Sequence, residues 1–190
     1  MILQASRRQP NNDMPVAVVG GGKTRTAELL RRLTGLPVEE LTPYQAARSQ
    51  REWRAVVVEN YDLPASRGLS ACAAARWHLS RYTDVIVVGL DDPEGRRLAA
   101  ALPGIAYTYS DGRPQADLTA KNVRLRGGRL EFEALTDREL TRVRVPWAGE
   151  AGLYDNLAAL AGALALDVPL EEAAAALSGE DARRSAGSIA

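Results

Sequence analysis

The sequence predicts an α/β fold: a mostly parallel, P-loop-type sheet flanked by helices, with a small antiparallel hairpin appended. Three observations carry that expectation. Short apolar runs alternate with stretches of helical periodicity, the pattern of strands joined by crossover helices. The first run, Val16-Ala17-Val18-Val19, passes straight into Gly20-Gly21-Gly22-Lys23-Thr24, a glycine loop placed where a strand turns into a helix. Further on, two runs of alternating character flank Gly127-Gly128, a pair suited to the tight turn of a hairpin.

Taken in order, Val16 to Val19 is the first strand and Thr24 to Leu33 its helix. A polar stretch from Gly35 to Arg54 follows, with a short helix expected around Tyr44 to Glu52. Ala55 to Val58 is the next strand and ends at Glu59-Asn60. Ser70 to Leu79 reads as helix, Asp84 to Val88 as strand, and Pro93 to Ala101 as helix, with Pro93 in a first turn that needs no amide from it. Ile105 to Tyr109 completes this half as a strand. Leu118 to Leu125 and Leu130 to Ala134 form the hairpin, and Thr141 to Val145 is placed to join it as a third antiparallel strand. After Pro146-Trp147-Ala148-Gly149 the chain enters an alanine-rich helix, Leu153 to Leu166, whose Leu153-Leu157-Leu160-Leu164 stripe is a core face by spacing. Val168-Pro169 opens the last helix, Leu170 to Leu177. These elements divide the chain into a flexible leader (1–13), one domain (14–178) and a frayed tail (179–190).

Composition limits the partners. With 190 residues the chain can bury one sizeable core. Its 24 basic and 24 acidic residues cancel, which argues against nucleic acid as the main partner. No apolar run has the length of a membrane span, and Met1 to Met14 lacks a signal-peptide core. A cytoplasmic protein is expected. The single Cys72 has no ligand cluster beside it, which suits a structural role.

The chemistry concentrates in the glycine loop. Backbone N–H groups of Gly20, Gly21 and Gly22 and of the following helical turn can converge on one anion, with Lys23 on phosphate oxygens and the Thr24 hydroxyl on Mg²⁺. Lys23 is one of only two lysines in an arginine-rich chain, the other being Lys121. A cation at a helix N-terminus opposes the helix dipole, so an anion nearby would explain it. The competing reading is a tight strand-to-helix turn with Lys23 solvated.

Several of these residues together resemble the central, ATP-binding domain of the Mur ligase family, which joins amino acids to peptidoglycan precursors. Gly22-Lys23-Thr24-Arg25-Thr26 is similar to the second half of that family's Thr-Gly-Thr-Asn-Gly-Lys-Thr-Thr-Thr loop. Val56-Val57-Val58-Glu59-Asn60 stands at its strand ending in Thr-Asn, Ala75-Arg76 at its Ala-Lys, and Val85 to Pro93 at its strand leading to Asn-x-Asp-Asp. Ile105 to Ser110, Ala116-Asp117, the Gly127-Gly128 hairpin and Gly149 to Leu177 follow the rest of the domain in order. The resemblance covers about 160 residues of the chain and implies ATP and Mg²⁺ as ligands, with Gly20, Gly21, Gly22, Lys23 and Thr24 on phosphate and Thr24 and Glu59 as metal candidates. Glu59 has a second reading, as a solvated carboxylate at a strand end.

Departures from the family pattern point away from catalysis. Val19 occupies the position of the family's first loop glycine, and Arg76 that of a lysine whose carbamate helps to hold a second Mg²⁺. Ala151-Gly152 and Asp155 stand where the adenine-facing His-Asn and Asn belong. The interval from Thr34 to Arg54 is too short for the family's strand with a Mg²⁺-binding glutamate, and that strand is expected to be missing. Asp91 and Asp92 precede a helix and suit capping, and His78 suits a satisfied or surface role. Trp147 reads as a packing anchor or as an exposed contact. The family's flanking domains, which hold the sugar-nucleotide substrate and close over ATP, have no counterpart in this sequence.

Three functional expectations follow: a non-catalytic binding or regulatory module, an ATP-binding subunit of an amide-forming ligase completed by another chain, or a phosphate binder outside the family. Surfaces that other domains cover in the family predict a homodimer. Light scattering at micromolar concentration should then give about twice the 20.5 kDa chain mass, and a monomer would exclude it.

Overall fold

The computed structural model describes residues 14–20, 23–59, 78–149 and 152–179. Among them are eight strands in one sheet, ordered β2-β1-β3-β4-β5-β6-β7-β8. β1 (Val16–Val19) is buried at every position and pairs in parallel with β2 (Val38–Leu41) on one side and β3 (Trp53–Val58) on the other. β4 (Thr83–Gly89) and β5 (Ala106–Ser110) extend the parallel ladder. Valine and isoleucine dominate β1, β3 and β4 on both faces, because helices cover both faces of the central sheet and leave these strands no solvent side on which to place polar residues.

The helices divide between the two faces. α1 (Lys23–Thr34), α4 (Gly152–Ala165) and α5 (Leu170–Ser178) pack on the face that holds Val16, Val18, Val57 and Val87. α2 (Pro43–Arg48) and α3 (Pro93–Ala101) contribute Ala46 and Leu98 to the opposite core, beside Ala17, Val19, Val56 and Ile86. α4 is nearly wholly buried, and its alanines at 158, 159, 161 and 163 have no exposed surface. Small side chains let this helix approach α1 and the sheet closely. A Cβ on Gly162 would stand 3.0 Å from Leu30 and 3.1 Å from Val57.

The second half of the sheet is antiparallel. β6 (Leu118–Arg126) enters through a short parallel pairing with β5, Tyr109 with Leu118 and Ser110 with Thr119, so the expected hairpin continues the main sheet. β7 (Arg129–Leu135) and β8 (Leu140–Pro146) follow in antiparallel register. Gly127 and Gly128 both adopt positive φ, 54° and 72°, as a two-residue hairpin turn requires. Leu130, Phe132 and Ala134 face the core while Arg129, Glu131 and Glu133 face outward.

The interval from Thr34 to Arg54 corrects one expectation. It keeps a strand, β2, beside β1. Two glutamates in four residues give Val38-Glu39-Glu40-Leu41 little strand propensity, and pairing with the fully buried β1 overrides it. α2 also ends at Arg48 rather than Glu52. Thr42 closes its start with a capping box: its hydroxyl accepts from the Gln45 amide, and its own amide donates to the Gln45 side chain. β3 begins at Trp53, two residues earlier than expected, where its amide donates to Tyr82 O. The expected leader, nearly all of the tail, Cys72, Arg76 and most of the Ser70 to Leu79 helix lie outside the described residues. No helix among the described residues is long and apolar enough to cross a membrane.

α3 presses on the end of β4 so closely that a Cβ on Gly95 would lie 2.0 Å from the Gly89 carbonyl oxygen. Gly95→Ala should therefore force helix and strand apart at a cost of about 2 kcal/mol. Thermal denaturation should show Tm falling by about 4–8 °C, and an unchanged Tm would contradict this packing.

Candidate functional site

The strand order reverses at β1. Its connection through α1 leads to β2 on one side, and the chain then crosses to β3 on the other. In open α/β sheets, ligands occupy the crevice beyond the carboxyl ends of the strands at such a reversal. Here those ends are Gly20 on β1 and Glu59 on β3, joined by a hydrogen bond from the Glu59 amide to Val19 O at 2.9 Å. Gly20 has φ +142°, and a Cβ on it would lie 2.8 Å from the Glu59 Cβ. Only glycine satisfies both conditions. The first loop glycine is thus required by backbone conformation and by the passage of β3.

Glu59 is 6% exposed. This corrects the reading of a solvated strand-end carboxylate: the chain passes Glu59 directly behind the loop, where Gly20 closes over it. Gly21 and Gly22 lie outside the described residues. Lys23 and Thr24 open α1. The Thr24 hydroxyl donates to Glu40 Oε2 at 2.7 Å, and Glu40 also meets Arg31 at 3.4 Å. The Thr24 hydrogen bond is the main cause holding the Glu40 carboxyl below its ordinary pKa; burial opposes it, and the Arg31 hydrogen bond and the Arg31 and Lys23 charges add to the lowering. Of the two metal candidates, the Thr24 hydroxyl donates to Glu40 on the β2 side, and Glu59 follows β3 on the other flank of β1.

The next carboxylates along the edge also have internal tasks. Asp92 caps α3, accepting the Glu94 amide at 3.1 Å, as expected of an aspartate before a helix. Asp91 reaches across to β5, where it accepts from the Ser110 hydroxyl at 2.6 Å and the Asp111 amide at 3.0 Å, with Arg113 at 3.8 Å. Asp111 in turn accepts from the Tyr154 hydroxyl at 2.8 Å, tying the first turn of α4 to the end of β5. Burial, and then this hydrogen bond, raise the Tyr154 phenol pKa. Tyr109 is buried among these groups, its ring against Gly89. Burial raises its pKa, with the charges of Glu59, Asp91, Asp155 and Asp92 adding to the effect.

α4 supplies the far wall. Gly152 begins the helix, and Asp155 is 8% exposed with Arg25 Nε at 3.5 Å. Burial raises the Asp155 carboxyl pKa, and the Arg25 charge offsets part of that. His78 shares a 2.6 Å hydrogen bond between Nε2 and Ser49 O and stacks at 5.1 Å on Tyr82, a satisfied histidine as expected. Trp147 is 39% exposed, which fits an exposed contact more than a packing anchor.

Sequence reasoning placed the loop and Glu59 in one neighbourhood but missed Glu40, Tyr154 and the Arg25–Asp155 pair. An acidic residue on a short edge strand after the first helix is the signal that would have found Glu40. Among the described residues there is no group of three or more His, Cys, Asp or Glu side chains able to hold a metal ion.

Neither a protein-family model nor a curated protein matches the sequence. Solved structures do. A UDP-N-acetylmuramoylalanyl-D-glutamyl-2,6-diaminopimelate–D-alanyl-D-alanyl ligase from Acinetobacter baumannii superposes with a TM-score of 0.71 at 21% identity, over 90% of this chain and 47% of its own. A UDP-N-acetylmuramoyl-L-alanyl-D-glutamate–2,6-diaminopimelate ligase gives 0.77 at 17% identity, over 93% and 47%. The UDP-N-acetylmuramate-alanine ligase MurC from Thermotoga maritima gives 0.70 at 16% identity, over 88% and 45%. This chain spans about half the length of each. Eight strands in this order, with helices on both faces and an antiparallel continuation, are the fold of the Mur ligase central domain.

Proposed function

We propose that this chain is a non-catalytic, Mur-ligase-like module that binds phosphate or a nucleotide at the start of α1 and acts in binding or regulation. The observation that carries the reading is the Thr24 hydroxyl bound to Glu40. Acyl-phosphate chemistry needs a nucleotide, a metal, a carboxylate and an amine aligned at near-attack distance. In this chain the hydroxyl suited to the metal is directed at a neighbouring carboxylate instead. Of the other carboxylates near the crevice, Asp92 caps a helix, Asp91 joins β4 to β5 and Asp155 pairs with Arg25.

What the reading leaves for an anion is the start of α1, with its first-turn amides and Lys23. Amides and an ammonium ion suffice to hold phosphate oxygens without a metal. Calorimetric titration should show ATP binding that does not depend on Mg²⁺, with no release of ADP. Lys23→Ala should weaken it by about tenfold or more, the worth of a charge-assisted contact. Mg²⁺-dependent binding accompanied by ADP formation would favour the other reading, an ATP-binding subunit completed by a second chain.

The adenine-facing turn also carries a pH signature. Because the folded-state pKa of Asp155 is raised above its ordinary value of 3.8, the folded chain holds this proton more tightly than the unfolded one. The stability contributed by the protonated carboxyl is present below that value and is lost as pH rises through the raised pKa. Asp155→Asn should flatten this part of the stability profile and give a higher Tm than the unmodified protein near pH 7. The difference should shrink as pH falls toward 4, measured by thermal denaturation across the range. A lower Tm at neutral pH would mean that the attraction to Arg25 outweighs burial.

A further inference from the structure

The outer face of the antiparallel strands is strongly basic. Three cross-strand rows cover it. Lys121 stands opposite Glu133 and then Arg142, Arg124 opposite Glu131 and then Arg144, and Arg126 directly opposite Arg129. Six cations thus face two carboxylates, in a chain whose total charge is zero. The β8 arginines take both carboxylates: Arg144 meets Glu131 at 3.4 Å and Arg142 meets Glu133 at 4.0 Å. Lys121, Arg124, Arg126 and Arg129 are exposed and make no ion pair or hydrogen bond with the described residues. Arg126 opposite Arg129 is a like-charge pair, which destabilises a hairpin. Folding alone gives no reason for it.

The same strand leaves its backbone open. β6 pairs with β5 only at Leu118 and Thr119. From Ala120 to Arg126 it has β7 on one side and, among the described residues, no strand on the other. Along this free edge, aliphatic and cationic residues alternate: Val123, Arg124, Leu125, Arg126. Val123 is 42% and Leu125 57% exposed. A β-bulge between Lys121 and Arg124, with Asn122 at φ 53°, breaks the regular edge, and the cations would repel an identical edge, so a second copy of this chain is opposed here.

We propose that the edge of β6 from Ala120 to Arg126 is a docking strand for an extended acidic polypeptide whose carboxylate and aliphatic residues alternate. Its carboxylates would meet Lys121, Arg124, Arg126 and Arg129 on the outer face. Its aliphatic side chains would cover Val123 and Leu125, and its backbone would complete the ladder. A nucleic acid or an anionic membrane could satisfy the cations but could not use the free amides and carbonyls.

The test uses a fluorescein-labelled octapeptide of alternating Glu and Val, followed by anisotropy, with oligouridylate and phosphatidylserine vesicles as competitors. Binding of the peptide should weaken by at least about tenfold in Arg124→Glu/Arg126→Glu, since four units of charge are reversed at exposed positions. Hydrogen exchange on the unmodified protein should show the amides of Ala120 to Arg126 protected by saturating peptide. No peptide binding, unchanged affinity in the double variant, no protection of β6, or tighter binding of oligouridylate or vesicles would each overturn the proposal.

Discussion

β1 is paired on both edges and buried on both faces, and the arrangement of the molecule depends on that. Four residues, Val16 to Val19, have no exposed surface. Their side chains alternate between the two cores, Val16 and Val18 under α1, α4 and α5, Ala17 and Val19 under α2 and α3. Burying a valine side chain is worth roughly 1.5–3 kcal/mol, so no displacement of this strand is cheap. β2 and β3 take their register from it. Because the chain leaves β1 toward one side and returns on the other, the crevice at its carboxyl end is a consequence of the topology and does not depend on what the crevice binds.

The fold and the polar chemistry of its rim are thus set by different interactions. Buried or half-buried carboxylates need partners. In a nucleotide site a bound metal ion can provide one. Here the protein provides its own: Thr24 and Arg31 for Glu40, Ser110 and the Asp111 amide for Asp91, Arg25 for Asp155, Tyr154 for Asp111. Each pair also ties two elements together, α1 to β2, β4 to β5, α1 to α4, and α4 to the end of β5. The rim is therefore stabilising in the absence of any ligand, and an entering phosphate would have to compete with Glu40 for the cationic end of α1.

Most of the architecture was legible in the sequence because it rests on local pattern. The valine runs, the glycine loop, Pro93 and Gly127-Gly128 each mark an element whose conformation they dictate. β2 was not legible. Its two glutamates argue against a strand, and only the buried partner beside it makes them one. The site divides in the same way. Gly20 and Glu59 were identified from their positions at strand ends, yet the burial of Glu59 depends on how closely β3 passes Gly20, a tertiary distance. Thr24 with Glu40 joins residues 16 apart, and Arg25 with Asp155 joins α1 to α4 across the whole domain; no motif spacing encodes either pair. The three rows on the hairpin were hidden by the bulge after Lys121, which shifts β6 against β7 and brings cations onto one face that simple alternation would distribute over two.

Net neutrality conceals how unevenly the charge is placed. Six cations and two carboxylates on the outer face of the antiparallel strands leave the rest of the chain with four more acidic than basic side chains. Glu40, Asp91, Asp92 and Asp111, near the carboxyl ends of the parallel strands, each accept a hydrogen bond from the protein, whereas four of the cations on the hairpin are exposed. Paired charges near a crevice are fixed by their partners and contribute to stability; unpaired cations on an exposed strand contribute nothing to folding and act at a distance of about a Debye length, roughly 8 Å at physiological salt. The two ends of the sheet therefore differ in kind. One has carboxylates engaged by partners within the fold, and the other holds cations exposed to water.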